Sequence, residues 1–193
     1  VWMPEYKAAF VGDLYYRSFP NIYTLRGTKP RWALDYIASI DRVLALKPEI
    51  LLPSHGEPIF GNKNISAAMT RYRNAIKYVH DETVRGMNAG KDVYSLMRDI
   101  KLPEMLNVGE AYGWVSWSVR GIYEGYTGWF DGAPANMYAQ SPQSIYPDLV
   151  GLSGGSGKIV NLAQQHLEQG DAVKALLLVE AAMAAEPNNH AVL

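Results

Sequence analysis

The sequence contains no cysteine. Disulfide frameworks and thiolate metal sites are therefore excluded, while cytoplasm and periplasm both stay open. It also has no apolar run of about 18 residues or more, so no membrane-spanning helix is expected. Charge of one sign is missing too: 18 Lys and Arg stand against 19 Asp and Glu, for a net charge of −1. That balance gives no reason to expect nucleic acid or an acidic membrane surface as a partner. The opening VWMPEYKAAFVGD lacks an initiator Met, a basic n-region and a cleavage site. It begins inside an element, and the chain is expected to be a fragment of a longer protein, with its localisation open.

What is present is enough for a core. The 193 residues are 48% hydrophobic and 11% aromatic, which suits one ordinary domain or two small ones. Residues 7–12, KAAFVG, form a short apolar run closed by a turn signal, as a buried strand requires. Across residues 30–46, Ala33, Ile37, Ile40 and Leu44 recur at helical spacing, with Pro30 placed for a first turn and Lys47-Pro48 for a stop. Glu49–Leu52 reads as a second buried strand ended by Pro53. The first 60 residues thus read strand, loop, helix, strand, with polar side chains delivered at both strand ends.

From about residue 62 the pattern is helical throughout. Asn64 is a candidate cap for a long helix carrying Ile65, Met69, Tyr72, Ile76, Val79, Thr83 and Met87, ended by Gly90. Asp92 is placed to cap a further helix, and Tyr112, Val115, Val119, Ile122 and Tyr126 mark another. Residues 128–147 hold several Pro and Gly and read as extended or loop. The tail reads as two helices around Gly170-Asp171, ending at Pro187, a hairpin of tetratricopeptide type. One such hairpin cannot bury its apolar face alone. These patterns set domain limits of 1–61 and 62–193.

Gly12-Asp13 taken alone is an ordinary strand-ending turn, and the His of PSHG (53–56) an ordinary surface or core histidine. Together they are less ordinary. A β–α–β unit sets two parallel strands side by side, so Asp13 and His55 can meet at one sheet edge. That pair suits a hard-to-borderline divalent ion, zinc above all. Asn21, Thr24 and Arg26 follow in NIYTLRG. A guanidinium forks onto an oxyanion, and an amide or hydroxyl adds one more hydrogen bond. His80, His166 and His190 read as helix-surface or solvent-facing groups, and Glu110 and Asp131 as acids near turns.

FVGD followed by PSHG resembles the fourth and fifth metal motifs of the metallo-β-lactamase superfamily. NIYTLRG, YVHDETVRGMNAGKD and VRGIYEGYTGWFDGAPANMY resemble its alkylsulfatase branch over about residues 8–190. The resemblance implies an α/β remnant of the αββα sandwich, followed by an all-α dimerisation domain. It implies that Asp13 bridges two zinc ions, where several alkylsulfatases have Glu, and that His55 is the last histidine ligand. It further implies that Asn21, Thr24 and Arg26 hold sulfate, that the intact protein hydrolyses sulfate esters as a homodimer, and that periplasmic or secreted placement is favoured. Some alkylsulfatases place a His and a Tyr over the sulfate from the helical domain. The similar positions here hold Trp117 and Trp129, which leaves the leaving-group acid unassigned. None of the four His belongs to the HxHxDH string that supplies the first zinc site. Two protein ligands are too few for a binuclear centre, so this chain alone is expected to be inactive. Two other readings stay open: a helical interaction module with a metal-free front end, and a metallo-hydrolase of a phosphate or lactone-like ester.

Overall fold

The two apolar runs become the central strands of a four-stranded sheet. The computed structural model describes residues 1–189 other than Arg26, Thr28 and Pro30. Strand β1 (Trp2–Met3) pairs antiparallel with β2 (Ala8–Gly12). β2 pairs parallel with β3 (Ile50–Pro53) through the crossover helix α1 (Ala33–Ala45), and β4 (Ile59–Phe60) pairs antiparallel with β3. The β2–β3 register shifts between Phe10 and Gly12, so Gly12 lies opposite Pro53. Gly12 has φ +59°, a left-handed conformation that turns the chain out of the sheet at the strand tip.

Pleating gives the sheet two apolar faces. One carries Ala9 and Leu51, which are 2% and 0% exposed and belong to the main core. Their register partners Trp2 and Ile59 pack against the same core. The other face carries Met3, Ala8, Phe10, Ile50, Leu52 and Phe60 by the same register. There Phe10 is 47% and Phe60 63% exposed.

Helix α2 (Asn62–Asn88) packs on α1 and on the sheet. Its Ile65, Met69, Ile76 and Val79 are fully buried, as the spacing requires. The expected cap is corrected: Gly61 precedes the first turn, and Asn64 instead donates its side-chain amide to the Phe60 carbonyl. Asp92 does cap α3 (Val93–Asp99), accepting from the Ser95 N–H. Helix α4 (Val115–Thr127) packs on α2 and α3. Its first N–H donates to Glu110 Oε1 at 2.6 Å, so Glu110 has a structural partner.

The described chain divides into two compact units, residues 1–129 and 130–193. The change in sequence character at 61/62 marks a change of element type, and contact density divides elsewhere. In the second unit, α5 (Tyr146–Ser153), α6 (Ser156–Glu168) and α7 (Ala172–Ala185) pack on one another. The tail hairpin is therefore partly covered by α5, a helix that the sequence pattern did not mark. Two short 3-10 turns, Pro134–Met137 and Pro142–Ile145, occupy the segment expected to be extended or loop. Asp131 holds the start of that segment, accepting from the Ala133 N–H and from Asn136. No described helix is long and apolar enough to cross a membrane.

Candidate active site

The β2 tip and the β3 tip lie side by side, and the backbone fixes both. The Ser54 N–H donates to the Gly12 carbonyl at 3.1 Å. The Tyr36 hydroxyl, reaching up from α1, donates to the Asp13 carbonyl at 2.6 Å. Burial pushes the Tyr36 phenol up to about 12, so it remains a donor. Asp13 and His55 follow these anchors into the same space. His55 Nε2 is 3.4 Å from Asp13 Oδ1, and Arg31 Nη2 is 4.0 Å from Asp13 Oδ2. Arg31 is a neighbour of Asp13 that sequence reasoning missed.

These groups line a cavity of about 150 Å³ with Tyr16, Asn21 and Tyr112. The Tyr112 ring stacks on His55, with centroids 6.4 Å apart and planes at 21°. The Tyr16 hydroxyl accepts the Asn21 N–H at 2.7 Å, and burial raises the Tyr16 phenol above its ordinary value. Asn21 Oδ1 and Thr24 Oγ1 are buried with no hydrogen-bond partner among the described residues. Asn21 faces the cavity, whereas Thr24 is not among its lining residues. Arg26 lies outside the described residues.

The loop carrying Asn21 is held by the non-helical segment that precedes α4 and by α4 itself. Phe19 N–H donates to the Gly109 carbonyl at 2.8 Å, and Ala111 N–H to Ser18 Oγ at 2.9 Å. Gly113 lies against the loop backbone: a Cβ there would stand 2.2 Å from the Pro20 carbonyl oxygen. At Gly121 a Cβ would stand 2.8 Å from the Tyr23 ring, and at Gly125 2.2 Å from the Trp32 ring. Long-range contacts of this kind carry no local sequence signal.

The donor set can be tested for a metal. A tetrahedral zinc with bonds of about 2.0–2.1 Å spaces its ligand atoms about 3.3–3.4 Å apart. The 3.4 Å between His55 Nε2 and Asp13 Oδ1 matches one edge of such a tetrahedron. Only this one edge is present, since no cluster of three or more His, Cys, Asp or Glu is found among the described residues. Asp13 and His55 side chains are 50% and 69% exposed, so further ligands have room to approach. His80, expected on a helix surface, is instead 8% exposed. Trp117 is half-buried against Trp114.

Comparison with known proteins gives these residues a context. Residues 94–192, just over half of the chain, match the family model described as alkyl sulfatase dimerisation. A linear primary-alkylsulfatase from Pseudomonas sp. (strain ATCC 19151) is 38% identical over 159 residues, covering 80% of this chain and 30% of that protein. The alkyl/aryl-sulfatase BDS1 of Saccharomyces cerevisiae is 26% identical over 198 residues, covering 98% of this chain and 30% of that protein. Among solved structures, the stereoselective inverting sec-alkylsulfatase Pisa1 from Pseudomonas sp. shares the fold with a TM-score of 0.91 at 24% identity, covering 99% of this chain and 31% of that one. The chain spans about a third of the length of the relatives it matches. It belongs to the alkylsulfatase family.

Proposed function

We propose that the chain is the C-terminal part of a zinc-dependent alkylsulfatase-like hydrolase that cleaves sulfate esters to an alcohol and inorganic sulfate. The observation that carries this reading is the meeting of Asp13 and His55 at 3.4 Å on the rim of a cavity also lined by Asn21 and Arg31. Two zinc ions, when bound, would supply a hydroxide near neutral pH by lowering the pKa of a shared water. Asp13 and His55 would hold them, together with ligands from the rest of the protein. The Asn21 carboxamide, rotated to present its amino group, and the Arg26 guanidinium would hold the sulfate oxygens and stabilise charge as the ester bond breaks. Thr24, whose buried hydroxyl has no partner among the described residues, would add a hydrogen bond if its loop opens toward the cavity.

The exposed apolar sheet face supports a further layer of an αββα sandwich, because such faces are otherwise unstable in water. The helical region is proposed to form the homodimer and its tail hairpin to be of tetratricopeptide type. Leu152, Val173, Leu176 and Leu177, each more than half exposed, support a partner there. The chain by itself is proposed to be inactive, as two protein ligands do not complete a catalytic zinc site.

Metal analysis of the intact protein tests this reading. About two zinc ions per chain are expected, falling sharply in Asp13→Asn and His55→Ala, with hydrolysis of an alkyl sulfate lost in parallel. A metal-free intact protein that still dimerises would support the other reading, a helical interaction module, which the dimerisation match over residues 94–192 favours. An unchanged alkyl sulfate rate in Arg26→Ala would remove the sulfate assignment and leave a different ester.

A further inference from the structure

Arg31 lines the candidate active site, and its neighbour Trp32 lines a second cavity of about 220 Å³. Its walls include Trp32, Leu34 and Asp35 at the start of α1, His80 of α2, and Ile122 and Tyr126 of α4. None of these groups belongs to the proposed zinc or sulfate machinery.

The polar end of this cavity is a chain of hydrogen-bonded groups. His80 is 8% exposed and fully partnered, with Nδ1 2.9 Å from Asp81 Oδ1 and Nε2 2.8 Å from the Tyr126 oxygen. Burial works to raise the Asp81 carboxyl, but hydrogen bonds from Lys77 and His80 outweigh it and hold the group below its ordinary value. An ionised carboxylate can only accept, so the proton between them sits on His80 Nδ1. His80 Nε2 and the Tyr126 hydroxyl share the next hydrogen bond, which either group can donate. Whichever group donates, the Tyr126 oxygen keeps a lone pair that can accept from a cation in the cavity.

The remaining walls have the same preference. Asp35 has no cationic partner for its carboxylate among the described residues. Among the described residues no Lys or Arg lines the cavity, and Lys77 is engaged by Asp81. The Trp32 ring lies flush on Gly125, so its position is set by the absence of a Cβ there. Indole and phenol faces attract cations, and Leu34 and Ile122 are apolar. The amino-terminal dipole of α1 opposes a cation, but Asp35 in the first turn offsets it.

We propose that this cavity binds a small organic ammonium ion bearing a short alkyl chain. The ammonium hydrogens meet the Asp35 carboxylate and the Tyr126 oxygen, the charge lies on the Trp32 ring, and the chain runs over Leu34 and Ile122. The site stands apart from the sulfatase reading, and neither depends on the other.

The test is a titration of the full chain at about pH 8, where an alkylammonium ion keeps its proton. n-Butylammonium, n-butanol and butyrate are compared at constant ionic strength, following the Trp32 indole N–H resonance, assigned with Trp32→Phe. Saturable n-butylammonium binding at about 1–10 mM is expected, with n-butanol much weaker and butyrate silent. Asp35→Asn, a surface change compatible with folding, is expected to weaken binding about tenfold, and Tyr126→Phe several-fold. Equal binding of n-butanol, preferential binding of butyrate, or unchanged affinity in Asp35→Asn would overturn the proposal.

Discussion

At the scale of single residues, Tyr36 shows how a buried phenol can brace a candidate site. Its hydroxyl donates to the Asp13 carbonyl and lies 3.4 Å from the Tyr72 hydroxyl, and burial raises both phenols. Tyr36 titrates near its ordinary 10.0 when unfolded and at about 12 when folded. The folded state thus holds the proton more tightly, and this contribution to stability is complete below pH 10 and fades as pH rises through about 12. Tyr36→Phe is expected to lose about 1 kcal/mol near neutral pH and to flatten the alkaline loss of stability, as followed by denaturant unfolding across pH. Asp13 itself was legible in the sequence as a carboxylate at a strand tip. Arg31 was not, because a basic residue before a helix start reads the same whether it faces water or an acid. His80 was misread for a related reason: its burial depends on Tyr126, 46 residues further along the chain.

At the scale of elements, local periodicity was a good guide wherever an element has one wet and one dry face. The β2–α1–β3 unit, the dry face of α2 and the Asp92 cap of α3 follow from spacing and end signals. Helix α5 did not, since Pro147 and Gly151 mask a short helix made by packing against α6 and α7. Nor did the seating of Pro20, Tyr23 and Trp32 on Gly113, just before α4, and on Gly121 and Gly125 within it, since glycines leave no side-chain pattern. Gly113→Ala is expected to cost about 1–3 kcal/mol, because its Cβ would collide with Pro20 backbone that cannot swing aside. Gly157→Ala, inside α6 with nothing within 4 Å, is expected to stabilise by about 0.4–1 kcal/mol. Thermal melts of the two variants should move in opposite directions, and amide exchange in residues 18–24 should quicken only in the first.

At the scale of the whole molecule, the sheet is apolar on both sides while the described helices cover one. The chain is expected to bind an apolar dye through the face bearing Phe10 and Phe60, and Phe10→Thr with Phe60→Thr to reduce that binding. Its own stability should change by no more than about 0.5 kcal/mol per site, the usual range for exposed positions. In a longer protein with the proposed second layer, each change is expected to cost about 3–5 kcal/mol instead, so the two measurements together locate the missing packing partner. The seating of Pro20, Tyr23 and Trp32 on Gly113, Gly121 and Gly125 carries a consequence for engineering. Anyone transplanting this loop between homologues would have to move residues 113–127 with it as one cassette, since alanine at Gly113 would put a Cβ 2.2 Å from the Pro20 carbonyl oxygen, and alanine at Gly121 or Gly125 would push the Tyr23 or Trp32 ring aside.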